Sequence, residues 1–231
     1  MTNHIDWTQI NTIFLDMDGT LMDLSFDNYF WHDYLPRIYA DINQLEFDLA
    51  CQQLKAMYYA ERGNLRWYCT DYWSQKLGIN IVQHKLNVTE RICLFPNVVN
   101  FLIASRRHGK RLVLLTNAHR DILDIKMEKT KIDAHFDRLI SSHDYGYAKE
   151  QDNFWPLLEK DEAYDKQTTL FIDDNVDVLR AAQRHGLKYL LCVDRPDTSM
   201  ENQDTQGFDS MCDFATLSAC LDDNINHASN A

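Results

Sequence analysis

Five short apolar runs rich in branched side chains recur along this chain, at residues 12–15, 111–115, 138–140, 169–172 and 188–193. Runs of that length and composition read as buried strands. The segments 98–108 and 176–185 between them have helical periodicity. Each is followed by a glycine, Gly109 and Gly186, where a left-handed cap ends a helix, and Pro96 suits a helix start. Strands that alternate with helices need parallel crossovers, so the expected class is α/β: a doubly wound, Rossmann-like parallel sheet with helices on both faces.

Residues 22–90 break this rhythm. They carry helical, aromatic-rich segments and no convincing buried strand, so we read them as a helical cap inserted after the first strand. The α/β core would then comprise 1–21 and 91–231, with 21–24 and 89–96 as the two crossings between the parts. A length of 231 residues fits a core plus one substantial insertion. Residues 196–208 are polar and read as a surface loop, and 213–221 show a short helical pattern.

Composition narrows the partners. A formal net charge of -12 leaves no basic stripe to neutralise a nucleic-acid backbone or an anionic membrane. Small anions remain open, because one lysine, a helix N-terminus and a cation can hold a single phosphate. The six cysteines, Cys51, Cys69, Cys93, Cys192, Cys212 and Cys220, have no CxxC spacing and no zinc-like pairing with histidines, so reduced, mostly buried thiols are expected. Residues 1–10 lack a basic n-region and an apolar run, and no later stretch reaches about 18 apolar residues. The expected compartment is the cytoplasm.

Chemistry gathers at the strand ends. The first strand runs into Asp16-Met17-Asp18-Gly19-Thr20-Leu21, and strand pleating points the two carboxylates the same way. Gly19 permits the tight turn that leaves the sheet. Thr116 and Asn117 follow the second strand, Gly146-Tyr147-Ala148-Lys149 the third, and Asp173-Asp174-Asn175 the fourth. Open α/β sheets bind ligands at these carboxyl ends. Carboxylates sharing one cleft repel unless a cation sits among them, and oxygen-only ligation with room for water and phosphate suits Mg2+ better than zinc.

Singly, Asp174 or Thr116 fits a helix N-cap and Lys149 a solvated surface side chain. Together, DMDGTL, LLTN, Lys149 and FIDDN resemble, in order, the four motifs of the haloacid dehalogenase superfamily of phosphohydrolases. The resemblance implies Asp16 as the nucleophile that attacks phosphorus. It implies Asp18 as the acid that protonates the leaving alkoxide and then activates water. Thr116, Asn117 and Lys149 would bind the phosphoryl group, and magnesium would take Asp16, the Asp18 carbonyl and Asp174. Many relatives have glycine where Asp173 stands and an acid where this chain has Val178, so Asp173 or Asp177 is expected in the outer shell of the metal. Dehalogenating relatives have no acid two residues after the nucleophile, so Asp18 argues for a phosphate ester.

The insertion holds Phe26, Tyr29, Phe30, Trp31, Tyr34, Tyr58, Tyr59, Trp67, Tyr68, Tyr72 and Trp73. At helical spacing most of these rings should form the core of a small bundle. Residues 26–31, 67–73, 114–119 and 146–150 resemble bacterial GMP/IMP nucleotidases, which implies a purine 5'-nucleotidase. Asp23, Asn28, Arg66 and Asp71 are then candidate contacts to ribose or base. His119 is expected to open a helix, and Arg66 to lie along the insertion's surface. The alternatives are a sugar-phosphate phosphatase or phosphomutase of the same superfamily and, from another class, a phosphate-binding interaction protein without turnover.

Overall fold

The computed structural model describes residues 5–211 and 213–229, with side chains through residue 223. Cys212 and residues 1–4 lie outside the described residues. The strands are β1 (Thr12–Leu15), β2 (Arg111–Thr116), β3 (Arg138–Ser141), β4 (Thr169–Asp173), β5 (Tyr189–Val193) and β6 (Ser210–Met211). They form one sheet in the order β3-β2-β1-β4-β5-β6, with parallel pairing throughout. β1 is flanked by β2 and β4 and is buried along its whole length, which is why its sequence is uniformly apolar rather than alternating.

The helical insertion follows β1. Helix α1 (Ser25–Tyr29) continues through a π-helical turn at Phe30–Tyr34 into α2 (Leu35–Asn43). Helices α3 (Phe47–Glu61), α4 (Thr70–Leu77) and α5 (Ile81–Leu86) complete it. Its rings mostly pack on one another, as their helical spacing predicts: Phe26, Phe30, Tyr58 and Trp73 are buried, and Tyr58 meets Trp73 edge-on at 5.1 Å. Tyr59, 76% exposed, is an exception. The two crossings pair with each other: Asp23 N–H donates to Cys93 O and Phe95 N–H to Leu21 O, each at 3.0 Å.

Pleating separates the sheet's residues into two cores. Ile13, Leu15, Leu112, Leu114, Leu170, Ile172 and Leu191 share one core with Phe101 of α6 (Val98–Arg107), Leu123 and Met127 of α7 (Arg120–Thr130) and Phe214 of α10 (Phe214–Ser229). Phe14, Val113, Leu115, Phe171 and Cys192 face the other way. There they pack on Trp155 of α8 (Phe154–Asp161) and Leu179 of α9 (Val176–His185). Helices on both faces make the sheet doubly wound, as expected.

Where the structure departs from the sequence reading, the reasons are local. β2, β3 and β4 each extend one residue further, to Thr116, Ser141 and Asp173. Their polar side chains end the apolar run while their backbones stay in the ladder, opposite Ser141, Thr116 and Cys192 respectively. β6 is too short and too polar to show a strand pattern. Pro96 lies before the helix rather than in its first turn, because Asn97 takes the cap in a left-handed conformation at φ 65°. The thiols are less buried than expected: among the described residues Cys192 is buried, Cys51, Cys69 and Cys220 are half-buried and Cys93 is exposed. No helix among the described residues is long and apolar enough to cross a membrane.

Phe171 has no exposed surface and meets the Trp155 ring at 5.5 Å. Phe171→Ala should therefore cost about 3–5 kcal/mol, read as a lower urea midpoint, whereas Tyr59→Ala should stay within about 0.5 kcal/mol of the parent.

Candidate active site

The carboxyl ends of β1, β2 and β4 converge on one cleft. Asp16, the residue after β1, is buried. Gly19 has φ 80°, and a Cβ built there would stand 2.6 Å from Asp174 Oδ2. Only glycine lets the loop after β1 lie against the end of β4, so this turn and this acid are fitted to each other.

Lys149 is buried and joins three strand ends. Its Nζ donates to Asp16 Oδ1 at 2.5 Å, to Asp173 Oδ2 at 2.6 Å and to Leu115 O at 2.9 Å. Its backbone N–H donates to Asn117 Oδ1 at 2.8 Å, and its carbonyl accepts from Trp155 Nε1 at 2.9 Å. Asn117 Nδ2 donates to Glu150 Oε2 at 2.8 Å, and Tyr68 of the insertion donates its hydroxyl to Glu150 Oε1 at 2.9 Å. Asn117 thereby holds the Lys149 loop in place. Thr116 is buried, with Oγ1 accepting from Ala118 N–H at 3.0 Å.

Asp16, Asp173 and Asp174 each offer a carboxylate oxygen within 4.8 Å of the other two. Burial, reinforced by Asp173, pushes Asp16 up to about 7 although Lys149 pulls the other way. Burial and then its neighbours Asp173 and Asp16 push Asp174 well above the ordinary carboxylate range. Burial works to discharge Lys149, but Asp16 and Asp173 outweigh it and keep the ammonium charged. Three acids against one ammonium, with oxygen donors only and a glycine cradle beside them, fit a hard dication.

Asp18, one-fifth exposed, is salt-bridged to Lys126 of α7. Lys126 Nζ also donates to Asp27 Oδ2 of α1 at 2.5 Å, and Lys85 of α5 pairs with Asp27 Oδ1. Burial raises Asp18 to about 6 against the pull of Lys126. For Asp27 burial also raises, but Lys126 and Lys85 together outweigh it and hold the carboxyl below its ordinary range. The sequence reading missed this chain of Asp18, Lys126, Asp27 and Lys85. A signal existed: each lysine follows an isoleucine of its own helix, Ile122 or Ile81, by four residues and so lies on a buried face.

Of the other sequence candidates, Asp173 reaches the cluster but is engaged by Lys149 and by Asn175 N–H at 2.8 Å. Asp177 does not reach it; it is exposed at the start of α9. Asp23 and Asn28 are tied to Thr198 and Asp197 beside the crossings. The Arg66 guanidinium lies 5.7 Å from the Tyr72 ring centroid, and the Asp71 side chain is 81% exposed. None of these four lines the cleft. Trp31, Trp67 and Tyr68 line it instead, from the insertion, with His119, Ile122 and Val178 opposite. His119 stands at the opening of α7, as its sequence position predicts, but its side chain makes no cap bond there, and its Nδ1 meets Thr70 Oγ1 at 2.9 Å.

A raised Asp16 keeps its proton in the folded state where the unfolded chain has lost it. The metal-free fold should therefore lose stability as pH rises from about 4 to about 7. Saturating magnesium should flatten that slope and raise the melting temperature, as scanning calorimetry with and without a chelator would show.

Known proteins resemble this chain. A family model described as haloacid dehalogenase-like hydrolase matches residues 10–186. The GMP/IMP nucleotidase YrfG of Escherichia coli is 38% identical over 214 residues, 93% of this chain and 96% of that protein, and its Shigella flexneri counterpart matches equally. Among solved structures, a phosphatase from Thermococcus onnurineus superposes with a TM-score of 0.76 at 14% identity, covering 92% of this chain and 98% of that one. The L-2-haloacid dehalogenase of Xanthobacter autotrophicus does so at 0.61 and 16%, with the same two coverages. The solved structures speak for the fold alone, but the family match takes in both acid-bearing strand ends and the lysine that joins them. The chain belongs to the haloacid dehalogenase-like hydrolases.

Proposed function

We propose that this hydrolase is a magnesium-dependent 5'-nucleotidase that cleaves purine nucleoside monophosphates through an aspartyl-phosphate on Asp16. The observation that carries the reading is the 38% identity to a GMP/IMP nucleotidase over 93% of the chain. The site supports it. A planar base entering from the insertion's side meets Trp31, Trp67 and Tyr68, whose rings line the cleft beside the acids. Residues 22–90 serve as the cap over a core of 1–21 and 91–231, and the paired crossings are where the two parts join.

In this mechanism an Asp16 carboxylate oxygen attacks phosphorus, and the departing alkoxide takes the proton of Asp18. Water then attacks the phosphorus of the acyl-phosphate and gives its proton to Asp18, releasing phosphate and restoring Asp16. An Asp18 pushed up to about 6 is suited to both directions of transfer near neutrality. Thr116 and Lys149 hold phosphoryl oxygens, and Asn117 fixes the Lys149 loop. Asp16, the Asp18 carbonyl and Asp174 would hold magnesium, with Asp173 behind Lys149; when bound, the ion supplies positive charge that ionises the acids and offsets the phosphoryl charge.

With magnesium present, phosphate release from GMP and IMP should exceed that from hexose phosphates by about tenfold or more in kcat/KM. Isomerisation of a hexose phosphate without phosphate release would favour a phosphomutase. Asp16→Asn should abolish turnover and leave the urea midpoint near or above that of the parent, and wild-type turnover in that variant would exclude the covalent step. Lys126→Met removes the charge that lowers the Asp18 pKa, so the acid limb of the kcat profile should move to higher pH. An unmoved limb would detach Asp18 from the proton transfers.

A further inference from the structure

A second ligand set lies at the seam between the insertion and the core. Cys69 precedes α4 in the insertion, His119 follows β2, and His143 sits in the short turn after β3. Each offers one ligand atom, and the three atoms lie within 4.8 Å of one another. The two imidazoles meet edge-on with centroids 4.8 Å apart. His143 Nε2 is buried with no hydrogen-bond partner among the described residues, an arrangement that costs the fold unless something else satisfies the nitrogen. His119 Nδ1 stands 2.9 Å from Thr70 Oγ1 and 3.3 Å from the Asp121 carboxylate. Those acceptors are what a metal-bound imidazole needs behind it to leave its other nitrogen free to ligate. That other nitrogen, Nε2, faces Asp71 Oδ2 at 3.8 Å.

We propose that Cys69, His119 and His143, with Asp71 as the fourth ligand, form a site for a borderline-soft divalent cation of the zinc class, separate from the carboxylate cluster, and that filling it locks the insertion against the core. Tetrahedral ligands about 2.0–2.3 Å from zinc stand about 3.3–3.8 Å apart, so the three atoms need to close by about 1 Å. On binding, the Cys69 thiol gives its proton to solvent as the sulfur–metal bond forms, while both imidazoles bind in their neutral form. The donor chemistry sorts the metals: sulfur and nitrogen here select zinc-like ions, and the oxygen-only cluster favours magnesium. Because His119 also lines the cleft, a metal that joins it to Cys69 and Asp71 of the insertion holds the cleft in one position and slows turnover.

Cobalt tests the site without reference to any substrate. The magnesium-saturated protein titrated with Co2+ should develop a thiolate-to-cobalt absorption band that saturates at one equivalent and is discharged by Zn2+. Cys69→Ser should abolish the band and keep the fold, since a serine hydroxyl replaces the sulfur that accepts from Tyr72 N–H at 3.4 Å. His143→Gln should raise the titration midpoint by about tenfold or more, since loss of a ligand costs at least what loss of an outer-shell partner does. No band in the parent, an undiminished band in Cys69→Ser, or an unmoved midpoint in His143→Gln would each overturn the site. Zn2+ should also slow p-nitrophenyl phosphate hydrolysis by the magnesium-saturated parent and not by Cys69→Ser. Equal inhibition of both would overturn the locking.

Discussion

One buried ammonium organises the catalytic end of this protein. Lys149 Nζ reaches Asp16, Asp173 and the carbonyl of Leu115, and so joins the ends of β1, β4 and β2 at a single point. A buried lysine without anions would discharge, and the buried acids without lysine would hold their protons more firmly still. Each group keeps the other in working form. The arrangement is still short of positive charge by more than one unit, a deficit that a dication held by Asp16 and Asp174 would correct.

The same logic extends outward. Asp18 is tied to Lys126, Lys126 to Asp27, and Asp27 to Lys85. Asp27 and Lys85 belong to the insertion, whereas Asp18 and Lys126 belong to the sheet and its covering helix. Movement of the insertion therefore changes the charge around the group proposed to carry the protons. A polar contact on another flank, Tyr68 to Glu150 to Asn117, connects the insertion to the loop that positions Lys149. Two separate hydrogen-bonded paths thus run from the insertion to the acid pair, besides the backbone pairing of Leu21 with Phe95 and of Asp23 with Cys93.

The fold serves this end with little irregularity. Uniformly apolar strands demand cover on both faces, which α6, α7 and α10 supply on one side and α8 and α9 on the other. The polar groups that a close-packed interior cannot hold are moved to the strand ends, where Thr116, Ser141 and Asp173 extend each ladder by one residue. The insertion packs its own aromatic core and leaves Trp31, Trp67 and Tyr68 at the cleft.

The sequence by itself determined the parallel sheet, the helical interruption after β1 and the order of acids, hydroxyl and lysine along the strand ends, because those depend on periodicity and on residues adjacent in the chain. Asp16, Asp18, Thr116, Lys149 and Asp174 were legible for that reason. Tertiary structure alone decided which of the flanking polar residues face the cleft. Asp23, Asn28, Arg66 and Asp71 carry suitable chemistry and do not reach it, while Lys126, Asp27 and Lys85 converge beside Asp18 from segments up to 108 residues away. No local pattern encodes that meeting. A buried charge is stable only where its partner lies, and the partner's position is set by how the insertion and the core pack together.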